Sequence, residues 1–298
     1  MKIIYKIIYN HFINSLLRPI AKIIFHLSGK KLMSISGILK LSYNEFNFKL
    51  QTNQTCSVTH DLFYNGTENY EFTILFEDLI KDSKVFFDVG ANIGYFSVLG
   101  EKINSNLKTF SFEPSFGPSF FIEKNIKLNN LRNVKLIKKA VSHINGELLF
   151  HDVINTKYPW IVHNLNGSNS LQNQYGREKS KSYNVSVVTL ETVINENNLT
   201  QLDFLKLDTE CTEHLILESS LSVINKFEPI IICEVFDIIE KEVQNVLDQM
   251  NNYEIYQYRD NYIVKISNLF EASKDIEFRN FIFCPKNKTQ KITKFLKA

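Results

Sequence analysis

Cysteine is scarce in this chain. Cys56, Cys211, Cys233 and Cys284 are the only four among 298 residues. No two stand in a Cys-x-x-Cys spacing, so zinc-ribbon and thioredoxin-type readings find no support. Scattered single thiols suit a reducing compartment, and a cytoplasmic location is expected. An excess of one charge is also missing. The net charge is +2 with 22% charged residues, which excludes the concentrated basic field of a nucleic-acid binder. A long apolar run is missing too. The first 25 residues are broken by Lys2, Lys6, Asn10, His11, Asn14 and Arg18, too often for a membrane span or a signal-peptide core. Metal-ligand spacing is equally poor. Asp208, Cys211 and His214 lie three apart with no second cluster, so no metal is expected.

What is present is a packed globular chain. Hydrophobic residues make up 44% and aromatics 13%, with 24 Phe, ample for a buried core. Ile3, Ile7, Ile8, Phe12, Leu16, Ile20 and Ile24 recur near helical spacing, which predicts an amphipathic helical segment over residues 1–35. Two readings stand for residues 1–25: a helix docked on the domain surface, or a basic helix in peripheral contact with an anionic membrane.

Residues 36–60 read as extended, with "FNFKLQT" alternating apolar and polar side chains. "ENYEFTILFEDLI" reads as helix. From Lys84 strands and helices alternate: "KVFFDVG" then "NIGYFSVLGEKI", "KTFSFEP" then "PSFFIEKNIKLN", and "VKLIKKAVS" then "GELLFHDV". A polar loop over 164–184 follows. "VSVVTL", "LDFLKLD", "EPIIICEVF", "NYEIYQY" and "FRNFIFCP" are further strands, with helices at 190–197, 210–224 and 237–250. Residues 286–298 hold five lysines and no acid, and read as a solvated basic tail. The main domain therefore spans 36–285, with a first half over about 84–150 and a second over about 185–285. Apolar strands alternating with helices predict an α/β fold, a mostly parallel sheet covered on both faces. Ligands of such sheets bind beyond the carboxyl ends of the strands.

Two of those ends carry chemistry. "DVGANIG" places Asp88, Gly90, Asn92 and Gly94 after the first strand, where glycines permit a tight turn and close backbone approach. It is not the dinucleotide fingerprint, which needs glycines where Asn92 and Tyr95 stand. The second strand ends at Glu113, where an acid accepts both hydroxyls of a ribose. Together they indicate an adenosine-bearing cofactor. Taken singly, Asp88 also reads as a helix cap and Glu113 as a surface acid.

"FFDVGANIGYFS", "FSFEPSFGPSFFIEKNIKLNNLRNVKLIKKAVS", "VVTLETVI", "LDFLKLDTECTEHLILESS" and "EPIIICEV" occur in this order. Across roughly residues 60–285 the chain resembles the FkbM-type S-adenosylmethionine-dependent methyltransferases. The resemblance implies a Rossmann-like class I fold whose sheet has seven strands, one of them antiparallel. It implies that the Asp88–Gly94 loop holds the methionine part of S-adenosyl-L-methionine, that Glu113 takes the ribose, and that Ala140, Val141 and Ser142 lie against the adenine. Such enzymes typically methylate hydroxyls of sugars or natural products. The expected function is O-methylation of a sugar hydroxyl in a surface glycan or glycosylated product. A catalytically silent cofactor-binding scaffold and a nucleotide-dependent oxidoreductase are the alternatives.

Methyl transfer needs alignment of acceptor oxygen and methyl carbon, and a base helps by taking the hydroxyl proton. Asp208 at the end of the fourth strand is the first candidate, then Glu210, then His163. Each also has a plainer reading: Asp208 as a cap, Glu210 as a favourable first-turn acid, His163 as a solvated loop side chain. One departure matters. The family pattern places glycine where this chain has Cys211, and again at Ser219. A position needing only close approach would accept cysteine; a position needing positive φ would strain it.

Overall fold

A computed structural model describes residues 2–172, 180–275 and 278–297. The chain opens with helices α1 (Lys2–Ile8) and α2 (His11–Ser28). Asn10 caps α2, its side chain accepting from Phe12 N, and Gly29 ends it at φ 69. Strands β1 (Gly37–Tyr43) and β2 (Phe46–Thr52) pair as an antiparallel hairpin. Helices α3 (Ser57–Asn65) and α4 (Thr73–Lys81) follow, so the extended reading of 36–60 fails from Ser57 onward.

The alternating region runs β3 (Val85–Val89), α5 (Tyr95–Ile103), β4 (Lys108–Phe112), α6 (Phe116–Leu128) and β5 (Val134–Ile137). Next come β6 (Ala140–Val141), β7 (Gly146–Val153), β8 (Ser180–Val188), α7 (Leu190–Glu196) and β9 (Phe204–Leu207). The chain continues through α8 (Glu213–Ser219), α9 (Leu221–Phe227), β10 (Ile230–Glu234), α10 (Glu240–Leu247), β11 (Tyr253–Arg259), β12 (Tyr262–Ile266) and β13 (Asn280–Pro285).

The central sheet has the order β12-β11-β13-β10-β9-β3-β4-β5. Strands β10, β9, β3, β4 and β5 are mutually parallel, while β13 runs antiparallel to both β10 and β11. Seven of these match the expected sheet with its one reversed strand. An eighth, β12, extends the edge by a hairpin from β11. The turn between them, Asp260–Asn261, has positive φ at both residues, the conformation that Asp and Asn tolerate best after glycine.

A second correction concerns "VKLIKKAVS". It is two strands: β5 stays in the central sheet, and β6 leaves it for a separate sheet of order β6-β8-β7. The polar loop is also shorter than expected, since β8 begins at Ser180 and pairs with β7 through eight positions. Residues 173–179 of the loop lie outside the described residues.

Strand periodicity assigns the core to two layers. Phe86, Phe204, Ile230 and Ile232 point to one face, where they meet Leu75, Phe76 and Leu99 of α4 and α5. Phe87, Leu205, Leu207 and Ile231 point to the other, where they meet Val193, Ile216 and Val243 of α7, α8 and α10. Full burial of each such side chain stabilises by roughly 1.5–3 kcal/mol. The C-terminal lysines do not form a free tail. Ile292 and Phe295 are buried in the first layer, and Lys294 pairs with Asp78. Among the described residues no helix is long and apolar enough to cross a membrane.

Candidate active site

The carboxyl ends of β3, β4, β9 and β10 open on one cavity of about 220 Å³. Its floor is the loop after β3. Gly90 adopts φ 74, and a Cβ there would stand 1.7 Å from the Asp208 carbonyl oxygen, so no other residue fits. Asn92 is left-handed at φ 51 and Gly94 at φ 81. Gly90 N and Ala91 N donate to Phe112 O, which ties the loop to the end of β4.

Glu113 is buried and locked in place. Its two carboxylate oxygens accept from Asn92 N and Ser115 N, each at 2.9 Å. Burial pushes its carboxyl up to about 8, against the lowering effect of those amides. Each oxygen has further acceptor capacity, and Glu113 lines the cavity.

Asp88 stands behind this surface. It is 1% exposed and does not line the cavity. Its Oδ2 accepts from Ser97 Oγ at 2.5 Å, and Oδ1 lies 3.8 Å from Lys206 Nζ. It fixes the start of α5 and the loop above it. Among the other expected cofactor residues, Gly90, Asn92, Ala140 and Val141 line the cavity, whereas Gly94 and Ser142 do not. Ser142 instead donates its backbone N–H to Val188 O.

On the facing wall, Asp208, Glu210 and Glu234 each offer a carboxylate oxygen within 4.8 Å of the others. Glu234 continues β10 beside the end of β9. Burial first, then the neighbouring Asp208 and Glu210, hold its carboxyl well above the ordinary range. Cys211 and His214 are not in this group. Glu213 is structural: its Oε1 accepts from Thr209 N and Thr209 Oγ1 and so closes the turn into α8. The structure does not bring His163 to the cluster. Its ring lies against Phe120 at 3.8 Å between centroids and 4° between planes, and against Phe116 at 4.7 Å. Burial lowers its pKa.

One participant escapes the motif reading. Lys206 is buried, donates to Asp208 Oδ2 at 2.9 Å and lines the cavity. Burial opposes its charge, but Asp208, Asp88 and Glu71 hold its pKa above the usual lysine value. A lysine alternating with Asp208 inside an apolar strand was the available signal. The start of the polar loop, residues 164–171, forms part of the cavity wall through Asn166, Gly167, Asn169 and Leu171. It is tied down by Asn169 Nδ2 to Ser115 Oγ and Ser170 Oγ to Glu210 O, at 2.8 and 2.7 Å. Gly117 makes room for it, since a Cβ there would stand 2.0 Å from Asn164 O.

The departure at Cys211 has a geometric answer. Glu210 and Cys211 are left-handed at φ 58 and 78. The family glycine therefore meets a positive φ, and cysteine occupies that conformation here with its side chain buried.

A parallel sheet, a glycine turn under a cavity and a buried acid after the second strand define a Rossmann-like methyltransferase. The family model described as "Methyltransferase FkbM domain" matches residues 88–262, and the chain belongs to that family. Its cofactor is S-adenosylmethionine. The residues suit this cofactor: the Gly90 cradle admits no side chain, Glu113 offers lone pairs, and Asn92 Oδ1 is a buried acceptor with no hydrogen bond.

No curated protein matches the chain. Solved structures similar in fold include an FkbM methyltransferase from Methylobacillus flagellatus KT, at 14% identity and TM-score 0.42 over 68% of this chain. The match spans 44% of that structure, under half its length. A precorrin-6y C5,15-methyltransferase from Geobacter metallireducens GS-15 is similar at 14% identity and TM-score 0.38, over 80% of this chain and 92% of that one. M. jannaschii TYW2 in complex with AdoMet is similar at 12% and 0.39, over 85% and 87%.

Proposed function

We propose that this methyltransferase acts on a hydroxyl of a sugar-bearing acceptor, a surface glycan or a glycosylated product. The convergence of Asp208, Glu210 and Glu234 on one cavity wall carries this reading. Three carboxyl groups form a strongly hydrogen-bonding surface for a ligand with several adjacent hydroxyls. An apolar or aromatic acceptor would take water from this polar wall without offering hydrogen bonds in return, at a cost of about 1–3 kcal/mol for each group so desolvated.

When bound, S-adenosylmethionine supplies an electrophilic methyl group. Gly90, Asn92 and Glu113 would hold it, with Ala140 and Val141 offering apolar contact. Asp208 receives the proton of the acceptor hydroxyl. Lys206, hydrogen-bonded to the same carboxylate, fixes its orientation. Glu234, its carboxyl pushed up by burial and then by Asp208 and Glu210, hydrogen-bonds a second acceptor oxygen. The segment 164–171 limits water entry from the side of α6.

A labelled-methyl transfer assay on glycan extracts tests this. Asp208→Asn should lower turnover about 100-fold or more, the usual contribution of a general base, while S-adenosylhomocysteine still binds. Full turnover in that variant removes Asp208 as the base. Label moving only to apolar acceptors removes the sugar reading. The strained Cys211 favours the second reading, a silent scaffold, for which cofactor binding without any label transfer is the signature.

A further inference from the structure

The two N-terminal helices reverse the usual amphipathic arrangement. Helix α2 is fastened to the body by polar groups. Buried Asn14 donates Nδ2 to Ser34 O at 3.1 Å and accepts from Ser36 N at 2.9 Å. Arg18 donates to the carbonyls of Ile38 and Ser36 at 2.6 and 2.8 Å. Ala21, Leu17 and Phe25 add the apolar contact on that side. The opposite side carries Phe12, Leu16, Ile20, Ile23 and Leu27, each more than half exposed. Intervals of four, four, three and four place them in one stripe. Ile3, Ile4 and Ile7 of α1 are more than half exposed as well. An apolar surface of this extent marks an interaction site.

Charge selects the occupant. No Asp or Glu precedes Glu45, whereas Lys2, Lys6, Lys22, Lys30, Lys31 and Lys40 do. Asp61 pairs with Lys31, and the other lysines keep this end of the molecule basic, so an anionic lipid surface complements both the stripe and the charge. Residues suited to a lipid–water boundary lie beside α1. Tyr5 and Tyr9 pack edge-on against Tyr158, and Lys6 stands 5.7 Å from the centre of the Trp160 ring.

We propose that α1 and α2 lie on an anionic bilayer, with the stripe sunk into the boundary between headgroups and acyl chains and the lysines at the phosphates. Neither helix spans the bilayer. This docking is independent of the acceptor proposed above.

The test is co-sedimentation of the full chain with phosphatidylcholine vesicles, with and without phosphatidylglycerol. Binding should be stronger by about tenfold or more with the anionic lipid and should weaken in salt. The double variant Leu16→Glu/Ile20→Glu should lose binding while keeping the far-ultraviolet spectrum and the S-adenosylhomocysteine affinity of the parent. Both residues face solvent, so folding is preserved. Failure of the parent to bind anionic vesicles overturns the proposal, as does unchanged binding by the variant. A concentration-dependent dimer abolished by the double substitution, without vesicle binding, assigns the stripe to a second copy and overturns it equally.

Discussion

Lys206 faces Asp88 across the parallel β3–β9 ladder, with Nζ 3.8 Å from Oδ1 and neither side chain more than 5% exposed. Lys206 also reaches Asp208, two residues along its own strand, at 2.9 Å. One buried cation thus links the residue beneath the cofactor loop to the residue at the acceptor wall. Removing it by Lys206→Met should destabilise the fold by about 3 kcal/mol, because two carboxylates lose their counter-charge. Adding Asp88→Asn should recover part of that loss. Urea midpoints of the two single variants and the double variant read the coupling; strict additivity would show that the pair does not interact.

Glu113 holds the loop through both oxygens and lines the cavity. Glu113→Ala leaves the Asn92 and Ser115 amides without partners and removes the carboxyl proposed to take the ribose. S-adenosylhomocysteine should bind about 30-fold more weakly, equivalent to about 2 kcal/mol. Calorimetry checks this. Asp88→Ala should also weaken binding, but chiefly by loosening the loop, with a parallel loss of stability. Unchanged affinity in both variants would remove the cofactor assignment of these residues.

Cys211 occupies a left-handed conformation that glycine adopts freely. Cys211→Gly should be more stable than Cys211→Ala by about 1 kcal/mol, although alanine is the better space-filler. Chemical denaturation of the two variants compares them directly. An alanine variant equal to the glycine variant would mean that φ exerts no control at this position.

Burial raises the carboxyls of Glu113 to about 8 and Glu213 to about 7. In the unfolded chain both ionise near the ordinary glutamate value. Between that value and about 8 the folded protein holds more protons, so its stability falls as pH rises. The histidines His163 and His214, lowered by burial, act in the opposite sense below their ordinary value near 6.5. Above pH 7 the histidine effect is spent, and Glu71, raised to about 7, and the buried thiols, raised by burial, act in the same sense as Glu113 and Glu213. The ligand-free protein should therefore lose stability from pH 7 to 8.5, on the order of 1 kcal/mol, read by urea midpoint. A constant or rising midpoint would contradict it.

The sequence by itself determined the parallel sheet, the cofactor loop and the acid after β4. Each of these is local: a run of apolar residues, a glycine where the chain must turn, a carboxyl where a strand stops. Asp208 and Glu210 were legible for the same reason. The eighth strand was written only in Asp260–Asn261, a weak signal without glycine. Tertiary structure decided what depends on residues far apart in the chain. It brought Glu234 from β10 to Asp208 from β9, set Lys206 against Asp88 across two strands, and turned His163 away onto Phe120. It also decided that the apolar stripe of α2 faces outward. Helical periodicity shows that such a stripe exists, but only the hydrogen bonds of Asn14 and Arg18 to residues 34–38 fix which side of the helix meets the protein.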